Sequence, residues 1–87
     1  MINKHIIEEF GIRIRELRKI KKISQEELSF ITGFHRTYIG MIERGERNIS
    51  LTNMAVFAKC FQINLSKLLD FSSVNPKHSF NNYEYKT

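Results

Sequence analysis

The segment from Ser24 to Glu43, SQEELSFITGFHRTYIGMIE, leaves this chain few folds to choose from. Ser24 followed by Glu27 is a capping box. The serine oxygen takes the amide three residues on and the glutamate reaches back to the serine amide, so a helix starts here. Leu28, Ile31 and Thr32 share one face of it, and it ends at Gly33, whose missing Cβ permits the left-handed C-terminal cap. A second short helix runs from about His35 to Arg44, with Ile39 and Ile42 at a three-residue step, and Gly45 ends it in the same way. Two short helices are thus joined by a tight glycine turn.

The rest of the chain supplies three more helices and no convincing strand. Phe10, Ile14 and Leu17 repeat at four- and three-residue steps and predict a first helix over about Lys4 to Lys21, with Arg13, Arg15, Lys19, Lys21 and Lys22 on its other faces. Ser50 caps a fourth helix, about Leu51 to Phe61, with Met54, Ala55, Phe57, Ala58 and Phe61 as a broad apolar face. A fifth runs from about Leu65 to Phe71, with Leu65, Leu68 and Leu69 inward. From Ser72 onward the composition turns polar and asparagine-rich and holds the only proline, Pro76. The expected organisation is an all-α five-helix bundle over residues 1–71 and a polar tail over 72–87, whose Phe80, Tyr83 and Tyr85 could dock on a partner.

Composition removes several classes of function. At 87 residues and 41 % apolar content the chain makes one domain with a single core. No apolar run is long enough for a membrane span, and MINKHIIEEF lacks the apolar core and cleavage site of a secretory signal. The lone Cys60 allows no intramolecular disulfide and reads as a buried or half-buried packing thiol, which suits a cytoplasmic setting. No zinc-spaced Cys/His cluster, phosphate-cradling glycine loop or nucleophile elbow is present, so neither an enzyme, a metal, a cofactor nor a small-molecule ligand is expected. The net charge of +5 is spread along the chain: ten Lys and Arg against seven Glu over residues 1–48, and four Lys against two acids over 49–87. That excess is compatible with phosphate binding without establishing it.

A turn of about three or four residues between two helices, often containing glycine, is the local pattern of a helix-turn-helix, whose second helix lies in the DNA major groove. The first residues of the second helix here, His35, Arg36, Thr37 and Tyr38, are side chains that can contact bases or phosphates. Arg36 is the strongest candidate for base reading, because its planar fork can bond guanine O6 and N7 together. Thr37 offers a methyl to thymine and a hydroxyl to a base edge or phosphate. Gly40 lets the helix approach the groove closely, and Met41, one turn on, reaches the edge of the DNA. His35 caps the helix or meets phosphate.

The run FGIRIRELRKIKKISQEELSFITGFHRTYIGMIERGERNISL resembles the helix-turn-helix family of phage repressors and their relatives. The resemblance covers about Lys4 to Phe71 and rests on the capping box, Leu28, Gly33, Ile39, Ile42, Glu43 and Gly45. Within that family HRTYIGMIERGERNISL, through RTYI and ERNIS, looks most like the controller proteins of restriction–modification systems. One departure is Lys22, where relatives usually carry glycine at the turn after the first helix; a left-handed lysine is strained and tolerable.

The resemblance implies a lambda-repressor-like bundle that binds operator half-sites in double-stranded DNA and regulates transcription, with RNA polymerase as a candidate partner. It implies that Tyr38 lies along the DNA backbone, where it can sense groove geometry. Gln25 and the loop residues Arg44, Arg47, Asn48 and Ser50 would hold phosphates, and Glu43 would turn inward to pair with Arg18 of the first helix. A single half-site offers one short helix too little contact, so a homodimer is expected. Phe61, Ile63, Leu65 and Leu68 offer more apolar area than one small core needs, which puts the interface at Phe61, Gln62, Ile63, Asn64 and Leu65. The alternatives are a phage-type repressor of another operon, or an antitoxin that binds a toxin protein through its tail and regulates its own operon.

Overall fold

Phe10 and Ile14 lie four residues apart on one stripe of the first helix, and that stripe fixes where everything else packs. In the computed structural model, which describes residues 4–74, both are buried in a core shared with Leu28, Ile39, Ile42, Phe57, Ala58, Phe61, Leu68 and Phe71. The elements are α1 (Lys4–Ile20), α2 (Gln25–Thr32), α3 (Arg36–Glu43), α4 (Leu51–Cys60) and α5 (Leu65–Leu68), with no strand among the described residues. Phe57 is the central side chain, fully buried, with the Phe10 ring edge-on at 6.4 Å and the Phe61 ring stacked at 6.5 Å.

The connections follow their cap chemistry. Ser24 accepts from the Glu27 amide at 3.0 Å and donates its own amide to the Glu27 carboxylate at 2.9 Å, closing the capping box. Gly33 takes φ 81° and donates its amide to Ser29 O, while Thr32 Oγ1 donates to Leu28 O and accepts from the Phe34 amide. The turn between α2 and α3 is therefore held by both backbone and side chain. Lys22 is left-handed at φ 60° and Gln62 at φ 58°, the latter in the turn between α4 and α5. Cys60 is half-buried, and burial raises its thiol pKa above the ordinary value against the pull of Lys21.

Several expectations need correction. The fifth helix is a single turn that stops at Leu68, because its carbonyls are taken by a side chain. Arg13, expected on a solvated face, is buried, and it donates to Lys67 O at 2.8 Å and Leu68 O at 3.3 Å, with Glu16 holding its third nitrogen at 2.6 Å. An arginine at a helix C-terminus satisfies carbonyls that have no partner in the helix. Ile31 and Ala55, expected inward, are exposed: α2 and α4 each present a narrower face to the core than their apolar residues suggest. Packing also continues past Phe71, since the Val74 amide bonds Phe71 O and the Ser73 hydroxyl bonds Glu16. Pro76, Phe80, Tyr83 and Tyr85 lie outside the described residues.

Gly11 sets how closely α1 and α3 approach. A Cβ at this position would run into the Ile42 carbonyl oxygen and lie 2.8 Å from that of Glu43. Both obstacles are backbone, so they yield only if the helices separate. Gly11→Ala should therefore destabilise the domain by about 1–3 kcal/mol, although alanine is the better helix former. Urea unfolding measures this, and an unchanged or raised midpoint would show that α1 and α3 can part without loss.

Candidate nucleic-acid interface

α3 is only eight residues long, and an isolated helix of that length does not persist in water. Its position comes from what it buries. Ile39 and Ile42 enter the core, and Glu43 turns the same way. The opposite face carries Arg36 and Thr37, both exposed, with Met41 half-buried one turn on; Gly40, expected to give the helix a close approach to the groove, is buried under the Arg44 side chain. Arg36, Gly40 and Arg44 form one stripe at four-residue steps, and Thr37 and Met41 form the next. His35 caps the helix through Nδ1, which accepts from the Thr37 amide at 3.1 Å.

The carboxylate of Glu43 is wholly enclosed and takes four donors. Arg18 gives Nε at 2.7 Å and Nη2 at 3.1 Å, Gln25 gives Nε2 at 3.1 Å, and Arg15 gives Nε at 3.4 Å. Arg18 uses its remaining nitrogen on Ile23 O at 3.0 Å, so α1, the turn after it, α2 and α3 meet at one ion pair. Burial pushes the Glu43 carboxyl up, and the hydrogen bonds from Arg18, Gln25 and Arg15 outweigh it and hold it below its ordinary value. The pairing with Arg18 was implied by the resemblance. The parts played by Arg15 and Gln25 were not foreseen. Arg15 could have been, since it lies one turn before Arg18 on the same helix, whereas the side chain of Gln25 points inward for reasons visible only in three dimensions.

The loop after α3 is tied to the helix and to α4. Tyr38 is half-buried, its ring edge-on to Phe34 at 5.1 Å, and its hydroxyl accepts from Asn53 Nδ2 of α4 at 2.9 Å. The Arg47 guanidinium lies over the Tyr38 ring at 5.5 Å. Ser50 caps α4 by accepting from the Asn53 amide, and Asn48 is exposed between them. Arg44 is engaged by a neighbour: Nε and Nη2 fork the Glu46 carboxylate at 2.9 and 3.2 Å. The structure thus puts Arg36, Thr37 and Arg44 on the exposed part of α3 and its cap, while Arg47 and Asn48 line a cavity with Ile6, Phe10, Ile49 and Leu69, and Tyr38 joins α3 to α4.

The residues expected at a dimer interface separate into three groups. Phe61 is core, 9 % exposed and stacked on Phe57, and so is removed from any surface role. Ile63 and Leu65 are half-buried against the core, while Gln62 and Asn64 are exposed. Asn64 also caps α5 through the Lys67 amide at 2.8 Å. Ile12, Ile20, Phe30, Ile31 and Leu51 are the large apolar side chains left exposed among the described residues, none of them at this turn.

Comparison with known proteins extends the geometry. Residues 14–68 match a family model described as helix-turn-helix. Control protein C.BamHI of Bacillus amyloliquefaciens is 44 % identical over 66 residues, 75 % of this chain and 82 % of that protein. Control protein C.SmaI of Serratia marcescens is 46 % identical over 56 residues, covering 64 % and 67 %. The crystal structure of the restriction–modification controller protein C.AhdI from Aeromonas hydrophila superposes with a TM-score of 0.69 at 42 % identity, covering 76 % of this chain and 98 % of that one.

The Glu43 site makes a two-part prediction. Removing one partner strands a buried charge, so Arg18→Ala should lose about 3 kcal/mol of stability at neutral pH. The folded pKa of Glu43 lies below its unfolded value, so its contribution is complete above about pH 4.3 and is lost as pH falls through the folded value. Melting temperatures from pH 7 to 2 should therefore fall more steeply on the acid side for the wild type than for Glu43→Gln. Superimposable acid limbs, or an Arg18→Ala protein that melts normally, would show that the pair does not hold the helix.

Proposed function

The chain belongs to the helix-turn-helix family and, within it, to the controller proteins of restriction–modification systems, and we propose that it times such an operon by binding paired operator half-sites as a homodimer. It is a DNA-binding transcriptional regulator. The observation that carries the proposal is the outward face of α3: Arg36, Thr37 and Met41 stand on a helix whose inner face is locked by Ile39, Ile42 and Glu43. In this reading Arg36, Thr37, Tyr38 and Met41 meet the groove. The α2 N-terminus at Gln25, with His35, Arg44, Arg47, Asn48 and Ser50, tracks the phosphates. Because Gln25 uses its side chain on Glu43, its phosphate contact is through the backbone amide of a helix start, where anions are favoured. RNA polymerase is the machinery whose access to a promoter such binding alters.

Base readers and phosphate holders are told apart by mutation. Arg36→Ala should cost about 1–3 kcal/mol and relax preference at one base pair, whereas Arg47→Ala should weaken all sequences alike and lower the salt slope by about 1. Fluorescence anisotropy on a duplex from upstream of its own gene, with single-base variants and a salt series, measures both. Uniform loss in both mutants would remove Arg36 from base readout, and salt-independent binding would sink the whole reading.

The dimer is placed at the turn between α4 and α5. Gln62 is its exposed, left-handed apex, and two copies related by a two-fold axis would set their α3 helices about 34 Å apart, one turn of DNA. Gln62→Lys puts like charges across that axis without touching the core. Sedimentation equilibrium should show weakened dimerisation and, in parallel, weakened operator binding. A mutant as dimeric as the wild type would move the interface away from this turn.

A further inference from the structure

Tyr38 is held by three different segments. Its ring stands edge-on to Phe34 in the turn before α3, the Arg47 guanidinium from the loop after α3 lies over its face at 5.5 Å, and Asn53 Nδ2 of α4 donates to its hydroxyl oxygen at 2.9 Å. Asn53 is itself fixed, because its backbone amide donates to the Ser50 cap at 3.1 Å. The bond is not a by-product of helix packing: α3 packs chiefly on α1 and α2, and α4 on α2 and α5. It also has a direction. An amide nitrogen only donates, so Asn53 fills a lone pair of the phenol oxygen and the hydroxyl hydrogen must turn away from it. Among the described residues no acceptor takes that hydrogen.

We infer that Asn53 is a positioning residue for DNA binding that acts through Tyr38, turning the Tyr38 hydroxyl into a donor for an acceptor on the duplex. The inference rests on the DNA-binding reading above, which sets α3 against the groove, and adds a residue to it. A duplex presents phosphate oxygens along its backbone and N7, O6 and O4 atoms at base edges in the major groove, all of them acceptors. A phenol with no partner rotates between presenting its hydrogen and presenting a lone pair, and a lone pair is repelled by these atoms. The Asn53 bond removes the second arrangement. It also polarises the hydroxyl, since an oxygen that accepts one hydrogen bond donates the next more strongly. Phe34 and Arg47 fix where the oxygen lies, and Asn53 fixes where its hydrogen points.

The test is a double-mutant cycle of Asn53→Ala and Tyr38→Phe on the full chain. Each protein is titrated against the upstream duplex and its single-base variants across a salt series, and each is melted. Alanine is a good helix former and the Ser50 cap uses only the backbone of residue 53, so Asn53→Ala should melt as the wild type does. It should weaken binding about three- to tenfold, the worth of one hydrogen bond. Tyr38→Phe should weaken it at least as much, and the double mutant should be no weaker than Tyr38→Phe. The salt slope should stay unchanged, because a neutral hydroxyl releases no counterion. Equal loss on every duplex assigns the acceptor to phosphate, and loss confined to one base pair assigns it to a base edge. Asn53→Asp keeps the tie to Tyr38 but can only accept, so it turns the hydrogen inward. Corrected for its charge by the same substitution in the Tyr38→Phe background, its loss should equal or exceed that of Asn53→Ala. Additive losses in the cycle would overturn the inference. So would a salt slope lower by about 1, since Asn53 would then act by steadying Arg47. If Asn53→Ala melts low and Asn53→Asp restores both melting and binding, the bond is a structural tie and the inference falls. Full binding by Tyr38→Phe would overturn it and leave the DNA-binding reading intact, whereas a wild type that does not bind the upstream duplex ends that reading before any mutant is made.

Discussion

The buried carboxylate of Glu43 is the constraint on which the placement of α3 depends. An enclosed carboxylate without donors is strongly unfavourable, and four donors from two other helices make this one tolerable only in one orientation. Apolar contacts such as those of Ile39 and Ile42 are non-directional and would let an eight-residue helix roll in its seat. The hydrogen bonds from Arg18, Arg15 and Gln25 are directional and prevent that roll. The same rigidity needs the short distance that Gly11 permits, because Arg15 and Arg18 reach Glu43 only with the α1 backbone against the last carbonyls of α3.

From that anchor the outer face follows. With the inner face fixed, α3 presents Arg36, Thr37, Met41 and Arg44 outward, and the loop after it inherits the same frame through Tyr38 and Asn53. A surface that is already ordered in the free protein loses little conformational entropy when it binds. Arg47 illustrates this: resting on the Tyr38 ring, it has already given up part of its freedom.

Features that are local in sequence were legible in it. The capping box at Ser24 and Glu27, the left-handed Gly33 and Gly45, the caps at His35 and Ser50 and the apolar stripe of α1 each depend on a few neighbouring residues and are read from them, whereas the left-handed Lys22 came through the family resemblance. The pairing of Arg18 with Glu43 spans 25 residues and came only through family resemblance. What could not be read depends on distant backbone. Arg13 looks like a solvated arginine until the end of α5 is beside it, Gly11 looks like an ordinary weak spot in a helix until α3 is against it, and Phe61 looks available for a partner until Phe57 is stacked on it. Ile31 and Ala55 failed for the converse reason: helical spacing places a residue near a face, and the width of that face is set by what packs on it.

The count of 14 Lys and Arg overstates what the protein offers to DNA. Arg13 is occupied by carbonyls of α5, Arg15 and Arg18 by Glu43, and Arg44 by Glu46, so four of the arginines are engaged internally before any ligand is met. Arg36 and Arg47 are the two that remain on the α3 side without an ion pair to a carboxylate among the described residues. Affinity for an arbitrary duplex scales with the number of phosphates neutralised, so spending arginines on structure lowers the background against which a true site must compete. A regulator this small cannot gain discrimination by adding contacts. It can gain it by limiting the contacts open to every sequence and fixing the geometry of those that remain. Internal arginine pairing does the first, and the Glu43 anchor does the second.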